Sequence, residues 1–414
     1  MSGTEAVQHV DTIVIGGGQA GLAVGYHLAK RAVPFLILDA NQRIGDAWRN
    51  RWDSLRLFTP ARYNALPGLR FPARGDSFPK KDEMADYLES YAKHFRLPVQ
   101  TGVRVDRLSR QGNRFVVTAG RKKFESRNVV VAMANYQVPR LPAFTKDLDP
   151  SIRQLHAHSY RRPSQLQLGG VLVVGVGNSG ADIAIDVAGN HSTWLSGRES
   201  GSIPYRIESF MARFVFVRII RLIGHHILSL RTSIGRRQRP KFLHRAAPII
   251  RVKPQDFAAA GIQRVGRMVG VKGGLPLLED DRTLDVKNVI WCTGFHPGFS
   301  WIDLPVFDGA GDPLHNRGIV AVSPGLYFLG LQFLYSMTSA TVHGVGRDAE
   351  HISDAIACRM EVGAERVAIA GRNDFSVIST AVGAAQQARD PGDLAEDLIL
   401  ELVELLPEKG PTKR

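Results

Sequence analysis

Two glycine-rich turns constrain this chain more than any other feature: Gly16-Gly17-Gly18-Gln19-Ala20-Gly21 and Gly175-Val176-Gly177-Asn178-Ser179-Gly180. Each leaves a short β-branched run and opens a helix-forming stretch. In that setting one glycine allows the tight turn, a second lets backbone approach a pyrophosphate, and a third lets helix pack closely on strand. Gly16, Gly18 and Gly21 fill these places in the first turn, and Gly175, Gly177 and Gly180 in the second. Two such turns imply two dinucleotides. The simplest protein holding two of them passes a hydride from a nicotinamide to a flavin.

The surroundings support each turn. Residues 12–15 read as a buried strand, 21–30 as a helix, and 34–38 as a second apolar run closing on Asp39. An acid roughly 20 positions beyond the glycines is placed to hold an adenosine ribose, so Asp39 is the expected anchor for FAD. The second turn repeats the layout with strand 171–174, helix 178–188 and strand 193–195, but ends on Ser196-Gly197-Arg198 instead of an acid. A guanidinium there suits a 2′-phosphate that an acid would repel, which favours NADPH over NADH. Asn178 and Ser179, at the helix start, are expected to donate to the pyrophosphate together with backbone N–H groups.

At 414 residues the chain can bury two or three domain cores. No run approaches the ~18 apolar residues that a membrane span needs, and residues 1–10 lack the pattern of a secretory leader; a cytoplasmic location is the expectation. The two cysteines, Cys292 and Cys358, form no C-x-x-C pair, which argues against dithiol chemistry. The 13 histidines combine with them at no zinc-like spacing, so no metal is expected. The net charge of +14 is concentrated: residues 206–253 hold twelve lysines and arginines against one acid, Glu208. Confinement to one segment without a nucleic-acid motif argues against nucleic acid as partner. Within it, residues 210–230 mix arginines with large apolar side chains. Two readings stand side by side: a basic amphipathic helix in peripheral contact with an anionic membrane, or a helix lining an apolar substrate route with its arginine heads in water.

The fold expected is α/β, with two Rossmann-like dinucleotide-binding domains, for FAD and NADPH, the second inserted in the first. The expected divisions are 1–165 for the first part of the FAD domain, 166–291 for the inserted NADPH domain with its basic segment 206–253, 292–360 for the closing part of the FAD domain, and 361–414 for a tail. The smaller elements expected are a helix at 82–94, strands at 103–108, 114–118, 123–126 and 128–132, a strand at 286–291 and a helix at 345–360. In the tail, residues 393–406 have an amphipathic pattern that would pack on the body or on a second subunit, making a homo-oligomer an open expectation.

Further motifs resemble those of the class B flavin-dependent monooxygenases, which include the flavin-containing monooxygenases and the plant YUCCA enzymes. Gly45-Asp46-Ala47-Trp48-Arg49 is similar to their G-G-x-W-R, Asp53-Ser54-Leu55-Arg56-Leu57 to their Y-D-S-L-R-L, and His156-Ala157-His158-Ser159-Tyr160 to the back half of their F-x-G-x-x-x-H-x-x-x-Y/F signature. Cys292-Thr293-Gly294-Phe295 resembles their A-T-G-F linker, and Gly330-Leu331-Gln332 with Gly346-Arg347-Asp348-Ala349 their closing flavin contacts. The likeness covers roughly residues 10 to 360. The chain departs from the pattern at Pro150 and Ile152, in the signature's phenylalanine and glycine places, and at Phe58, where many relatives carry asparagine or histidine.

The resemblance implies that NADPH reduces the flavin, that reduced flavin and molecular oxygen form a hydroperoxide, and that this oxygenates a small, apolar organic substrate by N-, S- or Baeyer–Villiger-type oxidation. Because the cofactor carries the reaction, no nucleophile-base-acid triad is required. Trp48, Arg56, Gly294 and Asp348 are implied cofactor contacts. Gln332 is the expected polar group facing the flavin, Thr293 and Gly294 the hinge, and His156 a signature position that either joins catalysis or packs between domains. The alternative is an NADPH oxidase-like or redox-sensing flavoprotein that releases hydrogen peroxide, docked on a membrane or a partner.

Overall fold

The computed structural model describes residues 7–198, 201–244 and 247–370. The apolar run at 12–15 becomes the inner end of β1 (Gln8–Ile15), and all four of its residues are buried. Burial on both faces is what a continuous apolar run dictates in a parallel sheet. The chain continues through α1 (Gln19–Lys30), β2 (Phe35–Leu38), α2 (Asp46–Arg49), α3 (Lys81–His94), β3 (Val99–Gln100), β4 (Arg107–Gln111), β5 (Arg114–Ala119) and β6 (Lys122–Val131). These strands lie in the order β3-β2-β1-β6-β5-β4, and β16 (Leu326–Phe328) returns late in the chain to pair with β6. Pairings among β3, β2, β1, β6 and β16 are parallel, while β4, β5 and β6 pair antiparallel.

Two strand boundaries differ from the sequence reading. The strand expected at 103–108 starts only at Arg107, because Val103 N–H is taken by Asp39 O and Gly102 N–H by Asn41 O, which ties this stretch to the loop after β2. The runs 123–126 and 128–132 are one strand; the exposed Arg127 between them pairs with Asp11 of the neighbouring β1 without interrupting the strand.

After β7 (Val138–Pro139) a second sheet forms from β8 (Arg153–His156), β9 (Val171–Val174), β10 (Thr193–Ser196), β11 (Gln263–Val265) and β14 (Asn288–Trp291), in the parallel order β11-β10-β9-β14-β8. All its strands fall between residues 153 and 291. α4 (Asn178–Ala188) connects β9 to β10, and β12 (Met268–Lys272) and β13 (Leu275–Leu278) form an antiparallel hairpin. The alternation of β9 sends Val171 and Val173 into one core with Ile183, Val187 and Tyr160, and Leu172 into another with Trp291 and Leu278. Trp52 joins the former core, so the loop holding Arg56 is anchored beneath the second sheet.

The basic segment is not one regular helix. α5 (Val217–Leu222) is flanked by wide i→i+5 turns at Ala212–Phe216 and Ile223–Ile227, and α6 (Ser233–His244) and α7 (Pro254–Ala259) follow. The segment is fastened by backbone: Leu230 N–H donates to Tyr335 O at 2.8 Å and Met337 N–H to Leu228 O at 2.9 Å. β15 (Phe295–His296) and α8 (Val345–Ala370) complete the described elements; α8 extends beyond the expected end at 360. The amphipathic stretch at 393–406 lies outside the described residues.

Candidate active site

At the first turn, Gly16 has φ +108° and a Cβ there would meet Ala132 O at 2.8 Å, while a Cβ on Gly21 would sit 1.8 Å from Gly16 O. Both places require glycine. Gly18 is different: it has φ −77° and a Cβ on it would enter open space, so its smallness leaves room ahead of α1. Asp39, 6% exposed, accepts the Gly17 N–H at 2.6 Å, and its other oxygen accepts from Asn41 N and Nδ2 at 2.7 and 2.8 Å. A carboxylate offers about four lone-pair sites, which leaves one acceptor for a hydroxyl. Trp48 Nε1 donates to Gln19 Oε1 at 3.2 Å, and Gln19 Nε2 donates to Ala340 O at 3.3 Å, bringing three distant segments to the start of α1.

The second turn has the same build. Gly175 has φ +114° with Cys292 O 2.3 Å from its would-be Cβ, Gly180 is pressed against Gly175 O, and Gly177, with φ −79°, again faces open space. Ser179 is half-buried at the helix start. Asn178 is spent elsewhere: its carboxamide donates to Pro248 O at 3.1 Å and accepts from Ile250 N at 2.8 Å, so it pins the 248–250 segment. Arg198 is exposed beyond the end of β10, next to Gly197 at φ +141°. Behind α4, the buried Asp182 meets Arg251 at 2.8 Å, yet burial outweighs this partner and pushes its carboxyl up to about 6.

Two chain crossings join the sheets, and they are bound to each other. Phe295 and His296 of β15 pair antiparallel with Pro139 and Val138 of β7. Arg140 N–H donates to Gly294 O at 2.9 Å and Thr293 Oγ1 donates to Arg140 O. Gly294 has φ +87°, a conformation that glycine adopts without penalty. His156 Nδ1 accepts the His158 N–H at 3.0 Å, so the ring carries its proton on Nε2, which donates to Gly294 O at 3.1 Å. Burial lowers its pKa. Both ring nitrogens serve backbone groups, which makes His156 a latch on the crossing; of the two roles open at the sequence level, the geometry matches packing between domains. Tyr160 is fully buried and donates to Asp186 Oδ2 at 2.7 Å.

Gln332 is exposed and donates from Nε2 to Tyr136 OH at 2.8 Å. The Tyr136 ring meets Phe295 edge-on at 5.9 Å, His156 and His158 meet the same Phe295 at 4.9 and 6.1 Å, and Arg51 lies 5.9 Å from it. Neither Tyr136 nor Arg51 belongs to a motif, so sequence reasoning passed over both. Thr293, Gly294, His156 and Gln332 thus converge on the paired crossings. Arg56 stands apart, exposed on the rim of a cavity of about 320 Å³. Among the described residues no His, Cys, Asp and Glu cluster could hold a metal, and burial pushes the Cys292 thiol up to about 12, leaving it a poor nucleophile.

Asp348, at the start of α8, is 1% exposed; neither buried carboxylate oxygen has a well-formed hydrogen bond, although the Ser339 hydroxyl acts on the group. Burial raises its pKa against the pull of Ser339 and Arg347. Buried acceptors left unmade are costly, so this place calls for a ligand that brings donors. The residues present fit FAD, whose hydroxyls would bring donors to Asp348 and Asp39 and whose pyrophosphate would take the space left by Gly18. NADPH fits the second turn through the space at Gly177 and the exposed Arg198.

Comparison with known proteins agrees with this geometry. Residues 13–201 match the family model described as pyridine nucleotide-disulphide oxidoreductase. An uncharacterized CzcO-like oxidoreductase of Geobacillus kaustophilus is 39% identical over 358 residues, covering 84% of this chain and 99% of the relative. The indole-3-pyruvate monooxygenase YUCCA1 of Oryza sativa is 26% identical over 375 residues, covering 84% and 91%. A flavin-containing monooxygenase from Stenotrophomonas maltophilia superposes with a TM-score of 0.69 at 27% identity, covering 86% of this chain and all of that one. With likeness along nearly the whole described chain and both glycine turns in place, the protein belongs to the class B flavin-dependent monooxygenases, oxidoreductases that work with FAD and NADP.

Proposed function

We propose that this protein is an NADPH-dependent monooxygenase that inserts one oxygen atom into a small amine, sulfide or ketone. The observation that carries the reading is the unlike continuation of two otherwise equivalent units: β2 is followed directly by Asp39, the proposed ribose acceptor, and β10 two residues on by Arg198, while both sheets feed one pair of crossings. Bound FAD would take a hydride from NADPH and activate oxygen for transfer to the substrate.

The chain's own residues supply binding, orientation and shelter. Gly16, Gly18, Gly21 and Asp39 hold the flavin nucleotide, with Trp48 bracing the turn through Gln19. Gly175, Gly177, Gly180 and Ser179 receive the second pyrophosphate at the start of α4, where N–H groups and helix dipole favour an anion. Gln332, held by Tyr136, presents a carboxamide at the crossings, and His156 and Thr293 fix the backbone around Gly294. In this reading residues 1–165 and 292–360 form the FAD domain around an inserted NADPH domain of residues 166–291.

A second reading, a peroxide-releasing oxidase, draws on Phe58, a half-buried ring where many relatives place a polar side chain. Contact with an anionic membrane draws on Phe210, Met211, Ile219, Ile220 and Leu222, all exposed beside Arg218. No helix of the described residues is long and apolar enough to cross a membrane.

The test is anaerobic addition of NADPH to FAD-loaded protein, followed by ¹⁸O₂ and candidate amines, sulfides and ketones. Flavin bleaching and a product heavier by one ¹⁸O atom are expected. Bleaching with stoichiometric peroxide and no labelled product would favour the oxidase, and no bleaching would remove both readings.

A further inference from the structure

The cavity of about 320 Å³ belongs to neither glycine turn; it lies between the loop of residues 56–78 and the basic segment. Its size is at the lower end of the ~300–1,000 Å³ typical of small-molecule sites. The walls combine apolar surface from Leu57, Phe78 and Ile207 with four guanidinium groups, those of Arg56, Arg74, Arg213 and Arg251, and one carboxylate, Glu208.

These cations are not equivalent. Arg74 is chelated by Asp76 at 2.6 and 2.8 Å, and Arg251 is held by Asp182 at 2.8 Å, so both are neutralised from behind. Arg213 lies over Phe78 at 5.5 Å and reaches the already occupied Asp76 only at 3.7 Å, while its Nε is buried without a hydrogen-bond partner. Arg56 has neither an ion pair nor a side-chain hydrogen bond among the described residues. Set against Asp76, Asp182 and Glu208, the four arginines leave a single positive charge. That favours a monoanion over a phosphate, which carries ~1.5–2 negative charges at neutral pH. A guanidinium with free donors matches a planar carboxylate.

We infer that this cavity binds a small organic carboxylate with an apolar body, anchored by Arg213 and Arg56. The inference rests on the monooxygenase reading in one respect: the carboxylate is then borne by the substrate, so the substrate is an amphipathic anion and not a wholly apolar molecule. The phosphates of NADPH are the other source of anionic chemistry.

Calorimetric titration with 3-phenylpropanoate, its uncharged amide and NADP⁺ separates the two sources. The acid is expected to bind about ten-fold or more tightly than the amide, and Arg213→Met to erase that margin while affinity for the amide and NADP⁺ stays unchanged. Arg213→Lys should recover part of it. Equal binding of acid and amide, or acid affinity unaltered in Arg213→Met, overturns the inference. Loss of NADP⁺ affinity with the acid unaffected also overturns it and gives the cavity to the nucleotide. If Arg213→Met fails to fold by circular dichroism, Arg56→Met, which breaks no ion pair or side-chain hydrogen bond among the described residues, carries the comparison of acid with amide. Because binding is read without turnover, failure here leaves flavin reduction by NADPH untouched, and failure of reduction leaves the binding result standing.

Discussion

The Gly17 N–H and the Asp39 carboxylate are 2.6 Å apart, so the acid just after β2 also holds the turn that follows β1. Asp39→Ala removes this bond and an acceptor for the ribose together. A hydrogen bond to a charged group is worth about 1.5–3 kcal/mol, so FAD affinity should fall by about 10- to 100-fold. Fluorescence titration of the apoprotein with FAD measures it, and unchanged affinity would count against Asp39 as the anchor.

Glycines of one turn should respond differently to alanine. Gly16→Ala drives a Cβ against Ala132 O at positive φ and should destabilise the fold with or without cofactor. Gly18→Ala meets no protein atom, so its apoprotein should melt within about 1 °C of wild type, because the cost of such a substitution is small at an unstrained φ. Its FAD affinity should nevertheless drop. Equal FAD affinity in Gly18→Ala would mean that the space ahead of α1 is not occupied.

Arg198→Ala should raise KM for NADPH by about ten-fold or more while leaving KM for NADH near its original value, since only the former carries a 2′-phosphate. Steady-state flavin reduction with both nucleotides measures the ratio. A parallel loss for both would remove Arg198 as the selectivity group.

Acid should weaken the fold before most carboxylates titrate. Burial, reinforced by neighbouring arginines, lowers His225 to about 4 and His343 to about 3, from an ordinary 6.5. As pH falls through 6.5 the unfolded chain takes protons that the folded chain refuses, so stability present above this pH is lost progressively toward pH 4. Asp182, raised to about 6, works the other way below pH 6 because the folded state accepts its proton first. About 1 kcal/mol moves the melting temperature of a compact unit spanning residues 1–360 by roughly 1–2 °C. A decline of several degrees between pH 7 and 5 is expected, and His343→Gln should flatten it. An unchanged slope in that variant would show that His343 does not carry the effect.

Much of the fold was legible because its signals are local. Apolar runs at 12–15 and 171–174, each followed by a glycine turn and a helix-forming stretch, read as strands buried on both faces, and Gly16, Gly21, Gly175 and Gly180 mark close approaches that the backbone requires. Boundaries set by distant partners were not: Val103 left the expected strand because Asp39 O captured its N–H. For the proposed site, fingerprint spacing pointed to Asp39, and the family resemblance to Trp48 and Asp348. The tasks of His156 and Asn178 were hidden, because their partners, Gly294 O, Pro248 O and Ile250 N, are backbone groups 70 or more residues away. The arginine cavity was missed for another reason: residues 210–230 read as a helix on a membrane or along a substrate route with its arginine heads in water, and only Asp76 and Asp182 show which guanidinium groups are already matched.

The pairing of β7 with β15 limits how the two halves of the molecule can shift during a catalytic cycle. Two separate tethers would let one sheet slide past the other, but a hydrogen-bonded ribbon resists shear along its strands and yields readily only by flexing across its flat side. With Gly294 at positive φ in the crossing and His156 gripping its carbonyl, we propose that any movement of one sheet over the other is a swing about this one crease. Cross-linking the ribbon would then be nearly silent for nucleotide capture, whereas loosening the histidine's grip would alter the amplitude of the swing.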